Sequence, residues 1–132
     1  MIAVAPKPQE PIQKRLSMQV EGIAEDTITL RSQDWDRDRF DIEFGLQNGT
    51  TYNSFLICGE KTALVDTSHA KFREQYMAAL KGEIDPAEID YIVVSHTEPD
   101  HSGLIKDVLA LAPNAVVVGA KVAIAFLEDL VH

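Results

Sequence analysis

Between Ser95 and Gly103 the chain reads Ser95-His96-Thr97-Glu98-Pro99-Asp100-His101-Ser102-Gly103, placing two imidazoles and two carboxylates between positions 96 and 101. Such groups hold metals, move protons or cap helices, and the spacing separates these uses. If the segment is extended as far as Asp100, then His96, Glu98 and Asp100 point to one side, because alternate residues of an extended chain do. Pro99 favours this, since a residue before proline is pushed out of the helical region. A turn into the following helix would then swing His101 in beside them. Metal-free acid–base chemistry needs fewer groups than four. The bland alternative makes Asp100 a helix cap, Glu98 a solvated charge and the histidines incidental. Nitrogen and oxygen donors without thiolate exclude zinc of the finger type. Equal imidazole and carboxylate content fits non-haem iron. Four ligands on one short loop exceed what one catalytic ion with its waters takes, which favours two adjacent metals.

The elements that must position this loop divide the chain in two. Residues 1–15 carry Pro6, Pro8 and Pro11 without periodicity and read as an extended leader; residues 16–132 read as one domain. Gln19–Ile23 and Thr27–Leu30 alternate as strands around an Ala24-Glu25-Asp26 turn. Ser32–Arg39, with its mixed charges around Trp35, reads as a solvated loop with the indole folded onto the domain. Phe40–Phe44 is a period-2 strand, and Asn48-Gly49 is a hairpin signal that makes Tyr52–Cys58 the return strand. Cys58 there reads as a small buried hydrophobe. Thr62–Val65 is a short buried strand ending in Asp66.

Beyond Asp66, helices and strands alternate. Ser68 is placed to cap a helix bearing Phe72, Tyr76 and Leu80 on one face and stopped by Gly82. His69 beside it reads as a solvated helix-start residue rather than a ligand. Asp85-Pro86-Ala87-Glu88 combines three helix-start signals. Tyr91–Val94 is a buried strand leading straight into the histidine–carboxylate loop. Leu104–Leu111 is helical, Val116–Val118 is another buried strand, and Val122–Val131 is a final apolar helix. Antiparallel strands followed by alternating helices and strands imply an α/β sandwich, with sheet layers flanked by helices.

Composition narrows the function. The 132 residues suit one domain, and 45% hydrophobic with 25% charged residues is globular composition. A formal net charge of −9 repels phosphate backbones and anionic lipid, so nucleic-acid and membrane partners are not expected. The single cysteine precludes an internal disulfide framework and fits a reducing compartment, so a cytoplasmic location is expected.

The motif His96-x-Glu98-x-Asp100-His101 followed by Ser102-Gly103 resembles the flavodiiron proteins, or diflavin flavoproteins. Asp34–Asp41, Gly49–Ile57 and Thr62–Thr67 resemble their cyanobacterial multidomain branch, and the likeness runs from about Met18 to the end. It implies the first half of a metallo-β-lactamase-like αββα fold. Hydrolytic zinc members of that superfamily carry histidine where this chain has Glu98. The resemblance also implies that His96 and Glu98 hold one iron, that Asp100 and His101 hold the other, and that Asp66 braces the loop without touching metal. The implied activity of the whole protein is reduction of dioxygen to water, or of nitric oxide. Electrons would come from NAD(P)H through a flavin reductase and through FMN in a flavodoxin-like domain.

The family completes its site with two further histidines and a bridging aspartate downstream, and His132 matches neither histidine. The chain is therefore expected to be a fragment, carrying four metal ligands, no further catalytic residue and no flavin-binding residue. It is expected to be inactive alone and to associate into a homo-oligomer partly through Val122–Val131. A zinc hydrolase of the same fold and a non-catalytic interaction module are the competing readings.

Overall fold

The computed structural model describes residues 15–37, 39–41, 44–45 and 49–131. The leader is outside these residues apart from Arg15, as are Asn48 and His132. Strand β1 (Leu16–Ala24) turns at Glu25-Asp26 into β2 (Thr27–Asp34). Short β3 (Arg39–Asp41) and β4 (Phe44–Gly45) pair with each other, and β5 (Thr50–Cys58) leads to β6 (Thr62–Val65). Then follow α1 (Arg73–Glu83), β7 (Tyr91–Val94), α2 (Pro99–Ser102), α3 (Ile105–Leu111), β8 (Val116–Gly119) and α4 (Lys121–Val131). Six strands form one sheet in the order β1-β2-β5-β6-β7-β8. It is antiparallel from β1 to β6 and parallel from β6 to β8. Parallel neighbours need long crossovers, and the helical segments after β6 and after the loop supply them.

Alternation decides most of this sheet. On β2, Leu30, Ser32 and Asp34 face the interior, opposite Ser54, Tyr52 and Thr50 of β5. Leu56, Leu64 and Ile92 continue that face across the neighbouring strands and are fully buried. Helix α1 and the 3-10 turn before it pack on it through Phe72, Tyr76 and Leu80, all fully buried at a spacing of four. Leu104 and Val108 complete the core from the α3 side.

Several expectations need correction. The strand after Gly49 pairs with β2, not with Phe40–Phe44: β2 offers eight matched positions, from Thr27↔Ile57 to Asp34↔Thr50. Gly49 itself, at φ +72°, lies against the Asp34 carbonyl, where no side chain fits. Ser32–Asp34 is strand rather than loop, although Trp35 beyond it is 44% exposed and donates to Ser17 Oγ at 3.1 Å. Cys58 is exposed, because β5 ends there at the Gly59–Lys61 turn and Leu56 takes the inward position. Gly82 lies within α1, which runs on through Glu83. Asp85 does cap, accepting from the Ala87 N–H, but only a single 3-10 turn, Pro86–Glu88, follows. Val116 and Val118 on the edge strand β8 are exposed rather than buried.

Candidate metal centre

Strands β6 and β7 run parallel and end side by side, with Asp66 and Ser95 next in line. The carboxyl ends of neighbouring parallel strands are where such sheets bind ligands. Asp66 continues the ladder by donating its N–H to Val93 O at 2.8 Å, then turns at φ +59°. That left-handed conformation is one that aspartate tolerates better than most residues. Its side chain, 6% exposed, takes over where the ladder stops. Oδ1 accepts the Ser95 N–H at 2.8 Å, and Oδ2 accepts both the Ser95 hydroxyl and His101 Nδ1, the latter at 3.1 Å. A carboxylate can only accept there, so the Nδ1 atom of His101 carries a proton and Nε2 is the nitrogen left to ligate.

The loop is not extended to Asp100. Helix α2 begins at Pro99, which sits at its first position with Glu98 as the capping residue. The Ser102 hydroxyl donates back to Thr97 O at 2.8 Å and Glu98 O at 3.1 Å. The four candidate ligands are thereby sorted into two pairs rather than a row. His96 Nε2 lies 3.4 Å from Glu98 Oε1, and His101 Nε2 lies 3.7 Å from Asp100 Oδ2. The imidazoles of the two pairs stack with centroids 5.4 Å apart and planes 16° from parallel. His96 and Glu98 are more than half exposed, whereas Asp100 is buried.

Two donors at cis positions on one ion, each at about 2.1 Å, stand about 3 Å apart. Each pair is within less than an ångström of that bite. Two imidazoles and two carboxylates form a mixed nitrogen–oxygen set suited to iron or zinc. The residues therefore fit a metal as two half-sites. Among the described residues no three His, Cys, Asp or Glu side chains gather closely enough to hold an ion, so each pair requires further donors.

A second cluster flanks the loop, and the sequence reading missed it. Asp34, 1% exposed, accepts from Tyr52 OH at 2.7 Å and pairs with Lys71 Nζ. Arg37 donates to Tyr52 OH at 3.0 Å and feels the charges of Asp100 and Asp34. Burial raises the Asp34 carboxyl, but the bonds from Lys71 and Tyr52 outweigh it and hold it below the ordinary carboxylate value. His69 is the cap of the 3-10 turn Ala70–Phe72, in place of Ser68, and accepts from Lys71 N at 3.2 Å. Burial, then the Lys71 and Arg37 charges, lowers its basicity. Ser68 is buried instead against Ser32, Oγ to Oγ at 2.7 Å. The period-2 run Leu30-Ser32-Asp34 carries the signal: alternation continued past Leu30 puts Asp34 on the buried face of β2.

Burial, together with the Asp34 bond and charge, pushes the Tyr52 phenol up to about 12, although the Arg37 bond opposes it. Burial raises Tyr76 as well. A phenol ionising near 10 when unfolded and about 12 when folded stabilises fully below pH 10, and that contribution fades as pH climbs through 12. Thermal unfolding between about pH 8 and pH 11 should show Tm falling above about pH 10. Tyr52→Phe should flatten part of that fall; an unchanged slope would contradict this assignment.

A mixed sheet overlain by helices, with imidazole and carboxylate groups at the ends of parallel strands, is a metallo-β-lactamase-like fold, and known proteins agree. The family model described as ODP family beta lactamase matches residues 50–131. Diflavin flavoprotein A 1 of Synechocystis sp. is 65% identical over 122 residues, covering 92% of this chain and 21% of the relative. The metal-soaked flavodiiron core from Synechocystis sp. superimposes with a TM-score of 0.80 at 37% identity, over 87% of this chain and 28% of that one. Rubredoxin oxygen:oxidoreductase from Desulfovibrio gigas gives 0.74 at 28% identity, over 85% and 28%. The chain belongs to the ODP beta-lactamase family and is similar to flavodiiron proteins over most of its length. It spans about a fifth of the length of the curated relatives it matches. No helix among the described residues is long and apolar enough to cross a membrane.

Proposed function

We propose that this chain supplies the first metal-binding part of a flavodiiron oxidoreductase. His96 and Glu98 would serve one iron, Asp100 and His101 the other, and Asp66 holds His101 in its ligating tautomer. The observation that carries this reading is the pairing itself: one imidazole beside one carboxylate, twice, in the loop that follows β7 at the carboxyl end of the parallel strands. Iron bound there supplies open coordination positions for a diatomic molecule and one-electron chemistry. The protein residues orient the ligands: Asp66 fixes the ring of His101, and Ser102 ties the helix start to Thr97 and Glu98.

The whole protein would reduce dioxygen to water, or nitric oxide, with electrons passing from NAD(P)H through FMN. Neither flavin nor nicotinamide is bound by this part. A homo-oligomeric, cytoplasmic protein is the setting this reading implies. Because each pair has only two donors, the chain alone should bind iron weakly and consume no oxygen in proportion to its concentration.

Anaerobic titration with ferrous ion, read by metal retained per chain and by solution mass, tests the reading. Up to one ion per pair is expected, with retention falling at least tenfold in His101→Ala. Absence of any ferrous binding would overturn it. Selective zinc retention with thioester or lactam cleavage would instead favour the hydrolase.

A further inference from the structure

We propose that Thr67 is a positioning residue for the metal loop, fixing the backbone of His101 and thereby the placement of Asp100 and His101 as a pair. The inference rests on the reading of that pair as metal ligands but concerns a residue that touches neither. Thr67 is fully buried. Its N–H donates to the His101 carbonyl at 2.8 Å, and its hydroxyl donates to the same oxygen at 2.7 Å. A carbonyl oxygen has two lone pairs, and both are thereby taken from one side. The hydroxyl oxygen in turn accepts the Leu104 N–H at 3.2 Å. One side chain thus grips the loop at positions 101 and 104, on either side of the Ser102-Gly103 junction between α2 and α3.

The loop needs such a grip. Helix α2 has four residues, Pro99–Ser102, and a helix that short has no orientation of its own to impose. Asp100 and His101 both ride on it. Asp66 holds the ring of His101 by its Nδ1, and the next residue holds its carbonyl, so the histidine is fixed at both ends by consecutive residues. Asp66 is itself anchored from the core. Its carbonyl accepts from the Ser54 hydroxyl at 2.9 Å, and Ser54 meets Tyr76 OH at 2.8 Å. The 66–67 step is therefore tied to the core on the side away from the loop. The hydroxyl of Thr67 passes that anchorage to the ligands.

Thr67→Val removes the hydroxyl while keeping the shape and the N–H bond; Thr67→Ser keeps the hydroxyl and removes the methyl. Two readouts on the 132-residue chain decide the matter. The first is affinity for cobaltous ion, with the visible spectrum of the bound ion as signature. Thr67→Val should lose tenfold or more, as loss of supporting partners does, and Thr67→Ser should stay within about twofold. The second needs no metal: solvent exchange of the His101 Nδ1 proton, seen by NMR, should quicken at least tenfold in Thr67→Val and stay parental in Thr67→Ser. A folded Thr67→Val chain with parental cobalt affinity and parental proton exchange overturns the proposal. So does a Thr67→Ser chain that behaves like Thr67→Val, or that shows quickened exchange when Thr67→Val fails to fold. If the parent chain binds no metal, the reading of the loop as a metal centre fails, while the proton-exchange result still decides the role of Thr67.

Discussion

Asp66→Ala is expected to destabilise the fold by about 3 kcal/mol and to reduce metal retention at His101 at least tenfold. Two separate costs add. The Ser95 N–H, the Ser95 hydroxyl and His101 Nδ1 all lose their acceptor together. Leaving a buried donor unpaired costs about 1–3 kcal/mol, reduced here because Ser95 and His101 retain access to water. Alanine, which tolerates φ +59° less well than aspartate, adds up to about 1 kcal/mol of backbone strain over the native residue. Asp66→Gly lifts the second cost and keeps the first, so it should be the milder variant by about 1 kcal/mol. Chemical denaturation of the three proteins measures both quantities. Equal stability of the glycine and alanine variants would show that the backbone at this position carries no strain.

The sequence carried this site unevenly, and the reason is physical. The histidine–carboxylate loop was legible as a candidate site because it directly follows a short apolar strand, and such strand ends hold polar side chains in place; Asp66 also follows such a strand, but its bracing role came only from the resemblance. The pairing of the candidate ligands was not legible from their spacing and came only from the family resemblance. Pro99 restrains Glu98 to extended geometry, as expected, but proline also suits the first position of a helix, and that second preference sets where α2 begins. Asp100 is therefore turned out of the row and toward His101. The flanking cluster was hidden for another reason. Asp34 and Arg37 lie in the stretch that reads as a solvated loop, Lys71 is more than thirty residues further on, and only β2 running on to Asp34 brings them together at Tyr52. Cys58 and the β8 valines show the converse: apolar residue types fix strand propensity, while exposure depends on where a strand ends and what lies beside it.

Gly103→Ala should be the other costly change, about 3 kcal/mol, for a purely steric reason. Gly103 has φ −60°, which any residue adopts, so its conformation demands nothing special. What it lacks is room. A Cβ there would stand 2.5 Å from Pro99 O, 2.7 Å from Ser68 O and 2.9 Å from Ala70 N. All three are backbone atoms, on the metal loop's own helix and on the segment after Thr67, so no side chain can swing aside. Relief requires the loop to move away from the 66–70 segment, and that motion would pull His101 off both Asp66 and Thr67. Stability and metal retention should therefore fall together, the latter by at least tenfold. Gly82→Ala is the matched control: it is a helical glycine with nothing within 4 Å of the added carbon. Ordinary helix propensity should make that variant more stable by up to about 1 kcal/mol, with metal binding unchanged. Gly103→Ala retaining parental stability would mean that the loop and the 66–70 segment are not clamped as tightly as their backbone contacts indicate. Gly103→Ala losing stability while keeping full metal affinity would separate the clamp from the ligands it is argued to hold.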